Sequence, residues 1–298
     1  MNKKMAVMGI SAAVGAAMLV TTAYAGVSTS SGYDLYKTAF NNVKQAKSLT
    51  ADVHVSLTDS GTKLADVMAN TKMNLQAKSM SGTTTVAVGT QQKTTSMYTQ
   101  NGTRIVKSSD SDVYKVFSPS GMHSEKAEDP AKDGKLTGVE NVVDALTQNI
   151  QNNITSTSGS DGSTNVDLKL SSDQLPQVVN ALASLAVQNG LNHMEHHKQP
   201  QDQFAASIQS AMPKLTGDIK VANVDVAANI SKDNLIQHQT AAFEITGQDA
   251  AGKAHDIVIN VAADLSNYNS TTPETVDLTG KKVQKIQPKA YKELDNQQ

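Results

Sequence analysis

The order of hydrophobic and polar positions changes period along this chain. Near the start, Tyr33, Tyr36 and Phe40 recur at helical spacing, which predicts an amphipathic helix over residues 31–48. From residue 50 the period shortens to two, because alanine, valine and leucine alternate with polar residues through Thr58. This alternation is typical of a strand that buries one face.

Strand-like segments continue to residue 117 and return in the last third of the chain. The predicted strands cover residues 50–58, 67–78, 83–89, 96–100, 103–107, 113–117, 164–170, 218–230, 237–246 and 256–264. Asn101-Gly102 lies between two of them and predicts a tight hairpin turn, because both residue types tolerate positive φ. Each block of strands alone would leave an apolar face uncovered, so we expect both blocks to form one antiparallel sheet.

Between the two blocks, apolar residues recur at helical spacing in three segments. The predicted helices cover Val139–Ile150, Leu175–Leu185 and Gln203–Met212. Residues 118–135 are rich in proline, glycine and charge and are predicted to form an exposed loop. The pattern therefore indicates an α+β fold in which amphipathic helices cover the apolar face of the sheet.

The first 25 residues have the organisation of a secretory signal peptide. A short basic start precedes an apolar run over Met5–Val20, and small residues stand at Ala23 and Ala25. We expect cleavage before Gly26 and an extracytoplasmic, cell-envelope location. The run is shorter than the roughly 20 residues that a spanning helix needs, so we expect no stable membrane span after cleavage. An uncleaved N-terminal anchor is the alternative.

Composition narrows the classes of function. The 298 residues carry a formal net charge of −2 and include no cysteine. A mildly acidic chain without an evident basic stripe predicts no nucleic-acid partner. Without cysteine there is neither a disulfide scaffold nor a lipid-modified cysteine. We expect one domain over residues 26–285, with a helical insert at about residues 137–212, and a flexible C-terminal tail over residues 286–298.

Two segments resemble the LolA-like superfamily of lipoprotein carriers and related exported proteins of bacteria. The first is GYDLYKTAFNNVKQAKSLTADVHVSL, and the second is FEITGQDAAGKAHDIVINVAADLSNYN with the following TTPETVDLTGKKV. The resemblance implies a strongly curved antiparallel sheet, or half-barrel, with helices over its concave face. It also implies an apolar cavity for lipid-like ligands and no catalytic residues.

Some apolar residues are candidates for lining such a cavity, although the simpler interpretation of such apolar stripes is that they face the protein core. The candidates are Met68, Met73, Val142, Leu146, Val179 and Leu182. A histidine cluster is the one candidate for metal binding, because on a helix its members would share a face. Its members are His193, His196 and His197. A solvated polar loop is the simpler interpretation, and we expect no metal and no cofactor.

Catalytic motifs are incomplete. Ser60-Gly-Thr-Lys63 matches S-x-x-K, but the companion motifs of penicillin-interacting enzymes are missing. No nucleophile and base can be paired from the sequence. The sequence therefore predicts a non-enzymatic exported module that binds or carries an apolar, lipid-like ligand or a partner's apolar segment. The alternative is a cell-envelope structural or sensing protein that interacts with an envelope protein and has no small-molecule ligand.

Overall fold

The computed structural model describes residues 31–117, 153–175 and 203–286, which form one sheet and two helices. The helices and strands, in chain order, are α1 (Ser31–Gln45), β1 (Ser48–Asp59), β2 (Thr62–Asn74), β3 (Ser79–Val88), β4 (Gln91–Gln100), β5 (Thr103–Ser108), β6 (Tyr114–Phe117), β7 (Ile154–Ser158), β8 (Thr164–Ser171), α2 (Gln203–Ala211), β9 (Leu215–Ile230), β10 (Ile236–Asp249), β11 (Ala254–Ser266) and β12 (Val283–Ile286).

The sheet consists of two meanders joined side by side. Its strand order is β12-β6-β5-β4-β3-β2-β1-β11-β10-β9-β8-β7, so the two predicted strand blocks do belong to one sheet. The meanders meet where β1 pairs with β11, in an antiparallel register that runs from Thr50 opposite Ser266 to Asp59 opposite Ile257. All pairs are antiparallel except β12 with β6, which is parallel.

Alternation gives the centre of the sheet, around β1 and β11, an apolar and a polar face. In the register of β1 and β11, Ala51 lies opposite Leu265 and Val53 opposite Ala263, and all four are buried. The intervening residues, such as Asp52 and its partner Asp264, point to the other face and are exposed. We call these the apolar face and the polar face.

Helix α1 seals one end of the apolar face. An acidic residue in its first turn and a lysine in its last turn suit the helix dipole. Its buried stripe includes Tyr36, Ala39 and Phe40, which join the main core. The Tyr36 hydroxyl donates to Gln239 Oε1 on β10 at 3.0 Å, and Asn42 donates to the Asn234 carbonyl at 2.9 Å. The helix contacts β7, β8, β9 and β10.

The predicted half-barrel is wrong. The sheet is open and not strongly curled, and its edge strands β7 and β12 do not pair with each other. Strong curvature needs bulges or glycines at repeated positions. Register shifts occur at four places between β9 and β10 and once between β1 and β2, whereas β2–β3, β3–β4 and β1–β11 pair without interruption. The bulges that could bend the sheet are therefore concentrated between β9 and β10.

The predicted cover of amphipathic helices is also wrong. Within the described ranges, helix is confined to α1 and to the nine residues of α2, which contacts β2, β3 and β4. Neither of these helices is long and apolar enough to cross a membrane. The predicted helices over Val139–Ile150 and most of Leu175–Leu185 lie outside the described residues, as do the signal segment and the tail from residue 287.

Most predicted strands are confirmed, and the errors occur at ends and edges. The Asn101-Gly102 turn is present, with φ values of 50° and 70°. The first helix ends at Gln45 instead of Ser48, because Ser48 already begins β1. Two edge strands were missed: β7 has one apolar residue and is mostly exposed, and β12 is only four residues long.

Residues 267–282 cross the polar face from the centre of the sheet to its edge, and we call them the crossing segment. Thr271 N donates to Ser48 Oγ at 3.1 Å above β1. Glu274 N donates to Ser81 Oγ at 2.8 Å above β3. At β4 the Gln100 amide accepts from Val276 N and donates to Val276 O, each at 2.9 Å. These bonds guide the chain to β12, which then covers the edge of β6.

We predict that Gln100→Met destabilises the protein by about 1–3 kcal/mol, because two backbone groups of Val276 lose their partly buried partner. The free energy of unfolding in urea measures the effect. Gln92→Met is the matched control, since Gln92 lies on the same strand and face but is exposed. Equal losses in both variants would show that the Gln100 contact is not what holds the crossing segment.

Candidate functional site

The apolar face carries a patch of half-buried side chains at the end of the sheet away from α1. Nine apolar residues on five adjacent strands form this patch, which we call the apolar strip: Phe243 and Ile245 on β10, Ile257 and Ile259 on β11, Val55 and Leu57 on β1, Ala65 and Val67 on β2, and Val86 on β3. The register places them side by side, with Ile259 opposite both Leu57 and Phe243.

The strip continues the core but is less well covered. On the same strands nearer α1, Val53, Val261 and Ala241 are each less than 9% exposed. Two residues further along, Val55, Ile259 and Phe243 are only half-buried. Helix α2 lies beyond the β3 side of the strip, where Ser207 donates to Gln91 Oε1 at 2.9 Å. The strip therefore lies between the areas that the two helices contact.

The structure separates the two predicted cavity residues that it describes. Met73 lies opposite Leu49, on the apolar face, and packs against the core. Met68 lies opposite His54, on the polar face, and is 56% exposed. The two side chains therefore point away from each other and do not line one cavity. Val142, Leu146, Val179 and Leu182 lie outside the described residues, and their role stays a prediction.

A buried histidine closes the strip at the hairpin end. His255 Nδ1 lies 2.7 Å from Asp59 Oδ2, and its Nε2 lies 3.4 Å from Asp249 Oδ2. We call these three residues the His255 cluster. Asp59 is opposite Ile257 and His255 opposite Gly247, so both lie on the apolar face in line with the strip. Gly247 leaves room here for Leu215, because a Cβ at position 247 would lie only 3.1 Å from Leu215 Cδ1.

The cluster favours a protonated imidazole between two carboxylates. The hydrogen bond to Asp59 raises the pKa of His255; burial opposes this, and Asp249 adds to the rise. Burial disfavours the charged form of Asp59, but hydrogen bonds from His255 and from the Asp256 amide outweigh burial and lower its pKa. The backbone amide of Lys253 and the contact with His255 likewise lower the pKa of Asp249.

Other charged groups near the cluster belong to the same hairpins. Lys253 disfavours the charge on His255. Asp256 points to the polar face, where burial raises its pKa and the negative charges of Glu244 and Asp59 add to the rise. The cluster therefore joins the β1–β2 turn to the β10–β11 loop by charge-assisted hydrogen bonds.

The cluster lacks the partners that hydrolysis requires. Both imidazole nitrogens of His255 face carboxylates, and the nearby Ser60 hydroxyl donates to Asp59 Oδ1 at 3.2 Å instead of to the histidine. A nucleophilic serine must contact its base directly. Across the described ranges, no three His, Asp or Glu side chains converge as metal ligands. His193, His196 and His197 lie outside those ranges.

A second concave surface lies on the polar face, behind the strip. This trough has a volume of about 410 Å³ and crosses strands β8, β9, β10, β11 and β1. Its floor is made of small side chains, Ala227, Thr240, Ala242 and Ala262, and its rim of His54, Asp167, Lys169, Asp225 and Asn260. The register sets Ala262 between Thr240 and His54, which brings the small side chains together at the floor. The trough is polar at its rim and does not correspond to the predicted apolar cavity.

Sequence reasoning found the strands of the strip but not the strip itself. Alternation predicted that Val55 and Leu57 share a buried face of the first strand. Alternation could not show that the strip is less buried than the core around Val53, because that difference depends on where α1 packs. The His255 cluster was missed because 196 residues separate His255 from Asp59.

Comparisons with known proteins leave the family open. No protein-family model matches the chain, and no curated protein is similar to it. The resemblance to the LolA-like superfamily therefore stays a prediction from the residues.

We predict that the His255 cluster makes stability depend on pH. The folded-state pKa of His255 lies above the ordinary 6.5. Its stabilisation is therefore complete below pH 6.5 and is lost as the pH rises through the folded-state pKa. The folded-state pKa of Asp59 lies below the ordinary 3.8. Its ionised form therefore stabilises the fold above pH 3.8, and this stabilisation is lost as the pH falls through the lowered pKa. Urea unfolding at a series of pH values measures both slopes.

His255→Gln tests the assignment, because it removes the titrating group and leaves a polar side chain in place. We expect this variant to lose the fall in stability above pH 6.5. His54→Gln is the control, since the His54 side chain is 48% exposed on the polar face. Superimposable pH profiles of the wild type and His255→Gln would exclude the cluster as the source.

Proposed function

We propose that this chain is an exported, non-enzymatic binding or carrier module. Its apolar strip holds an apolar, lipid-like ligand or an apolar segment of a partner. The observation that carries the proposal is the half-burial of nine apolar side chains on five adjacent strands, beside a core on the same face that is fully buried. Surfaces of this kind on soluble proteins mark binding sites more often than chance exposure does.

The dimensions of the strip suit an extended hydrocarbon chain. Five strands at about 4.8 Å spacing span about 19 Å across the sheet. Each methylene group that leaves water contributes about 0.8 kcal/mol. A ligand with about ten methylenes against the strip would gain about 8 kcal/mol before the costs of association. The nine strip residues are all apolar, and the row of Ile245 and Ile257 ends at Asp59, so affinity along the strip would depend on apolar contact area.

The polar end of the strip gives such a ligand an orientation. On the same face, Asp59 lies two residues after Leu57 on β1, and His255 lies two residues before Ile257 on the antiparallel β11. A polar headgroup would therefore lie at the His255 cluster while the hydrocarbon lies toward Val55 and Ile259. This arrangement, apolar along its length and polar at one end, is the usual design of a lipid site.

Export and ligand class come from the sequence. Residues 1–25 have the organisation of a secretory signal, which would place the module outside the cytoplasm. The resemblance to the LolA-like superfamily supports a lipid-like ligand. Because the sheet is open, the ligand in this proposal lies on a flat strip and not inside a half-barrel.

A second candidate is a cell-envelope interaction protein without a small-molecule ligand. The trough on the polar face favours it, because a long groove with small floor residues and a charged rim suits a polar partner. Site-specific photo-crosslinking from Ala242 in intact cells tests this candidate. Capture of one envelope protein from Ala242, together with a strip that carries no lipid, would favour it over the carrier proposal.

We predict that protein purified from its native host carries an extractable lipid, which mass spectrometry of an organic extract detects. Val67→Gln should remove the bound lipid and weaken the binding of a fluorescent fatty acid at least about tenfold, because it places an amide among the apolar side chains of the strip. Fluorescence titration measures the change in affinity.

Met68→Gln is the matched control. Met68 is the next residue on β2 and faces the polar side, where it is 56% exposed. We expect this variant to keep the lipid and the probe affinity. If native protein yields no lipid and the wild type does not bind the probe, the carrier proposal fails.

A further inference from the structure

Charge is distributed unevenly across the sheet. Strands β8 to β11 carry two lysines and seven acidic residues: Asp167, Asp218, Asp225, Glu244, Asp249, Asp256 and Asp264. At the other side, β5, β6 and β12 carry no acidic residue and four basic ones: Arg104, Lys107, Lys115 and Lys285. The crossing segment adds Lys281 and Lys282 immediately before β12. It also carries Glu274, which pairs with Lys72 on β2, and Asp277, whose pKa Lys281 helps to lower. The chain is acidic overall, but one edge of its sheet is basic.

An aromatic ring organises part of this edge. Lys281 Nζ lies 4.9 Å from the centroid of the Tyr114 ring, and Lys107 Nζ lies 5.8 Å from it. Tyr114 N donates to the Lys282 carbonyl at 2.8 Å, which fixes the start of β12 beside β6. The ring thus lies close to two ammonium groups, one on β5 and one in the crossing segment. The Lys107 ammonium also donates to the carbonyls of Ser108 and Ser111.

Apolar surface accompanies these charges. Val283 pairs with Tyr114 in the register of β12 and β6 and is 41% exposed. Lys282 and Lys285 flank it in sequence, and no ion pair joins either lysine to an acidic residue in the described part of the chain. We call Lys107, Tyr114, Lys281, Lys282, Val283 and Lys285 the basic edge.

The acidic strands do not cancel the field of this edge. Seven strand spacings separate β12 from β11 in the strand order, which corresponds to about 33 Å. The Debye length at physiological ionic strength is about 8 Å. An anion near β12 therefore experiences the local charges, in which the lysines outnumber Asp277, and not the net charge of the chain.

We propose that the basic edge docks the protein on the headgroups of an anionic lipid bilayer. Phosphate groups of the bilayer would contact the lysines, while Val283 and the Tyr114 ring enter the interface between headgroups and acyl chains. The combination of lysines with an exposed valine and a half-buried tyrosine favours a membrane over a free polyanion, which offers no apolar surface. The proposal is independent of the ligand assigned to the apolar strip.

The experiment uses protein recovered after export, with its N-terminal residue determined so that no apolar leader remains. Sedimentation with vesicles of phosphatidylglycerol and phosphatidylcholine in equal parts is compared with vesicles of phosphatidylcholine alone. We expect binding to the anionic vesicles only, weakening as salt is raised. Binding to phosphatidylcholine alone to the same extent would overturn the proposal.

A triple variant, Lys281→Gln with Lys282→Gln and Lys285→Gln, tests the location. Each lysine near an anionic surface strengthens binding about fivefold, so the triple variant should bind about a hundredfold more weakly. The control changes three exposed lysines at the far side of the sheet, Lys169, Lys220 and Lys232, to glutamine. Equal weakening by both triple variants would show non-specific attraction and contradict the basic edge as the site.

Val283→Asn distinguishes the membrane from a soluble polyanion. Its side chain is exposed, so the fold should tolerate the change, and we expect weaker vesicle binding at unchanged affinity for inorganic polyphosphate. If Val283→Asn binds vesicles like the wild type while polyphosphate binds the free protein and competes with vesicles, the edge recognises phosphate polymers and the membrane proposal fails.

Discussion

The pairing of β1 with β11 is the interaction on which the rest of the structure depends. It is the only pairing in the described sheet that joins the N-terminal meander to the C-terminal one. Through it, the apolar residues of β1 join the core that α1 covers over β7 to β10. The apolar strip lies across this seam, with Leu57 opposite Ile259, and the Asp59–His255 contact closes one end of it. The crossing segment begins at the other end, where Asn269 N donates to the Ser48 carbonyl.

Because a strand alternates sides at every residue, the same sequence builds two surfaces of opposite character. Along β1, Val53, Val55 and Leu57 supply core and strip, while His54 and Ser56 line the polar trough behind them. The seam has no register shift, so this separation is kept without interruption from Thr50 to Asp59. The crossing segment can therefore cover the polar face with hydrogen bonds while the apolar face stays available to helices or a ligand.

The sequence was sufficient for local structure and insufficient for the arrangement of strands. Alternation located most strands, and Asn101-Gly102 located a turn, because each depends on neighbouring residues only. Curvature depends on where bulges accumulate, and nothing in the run Asp218–Ile230 distinguished one bulge from the several that separate β9 from β10. Edge strand β12 was missed since its hydrogen bonds go to β6, more than 160 residues earlier. The strip and the His255 cluster depend on the same long-range order.

The lysines of the basic edge also have a structural role, which constrains how their function is interpreted. An open sheet exposes unpaired backbone groups at its edges, and lysine on an edge strand discourages pairing with another sheet. Lys282 and Lys285 on β12 suit this purpose. That role requires neither the exposed Val283 nor the stacking of Lys107 and Lys281 on Tyr114. An apolar residue on an exposed edge increases the tendency to associate, so its presence among the lysines is better explained by contact with an interface. Edge protection and membrane docking are therefore compatible uses of the same strand, and the valine is the residue that separates them.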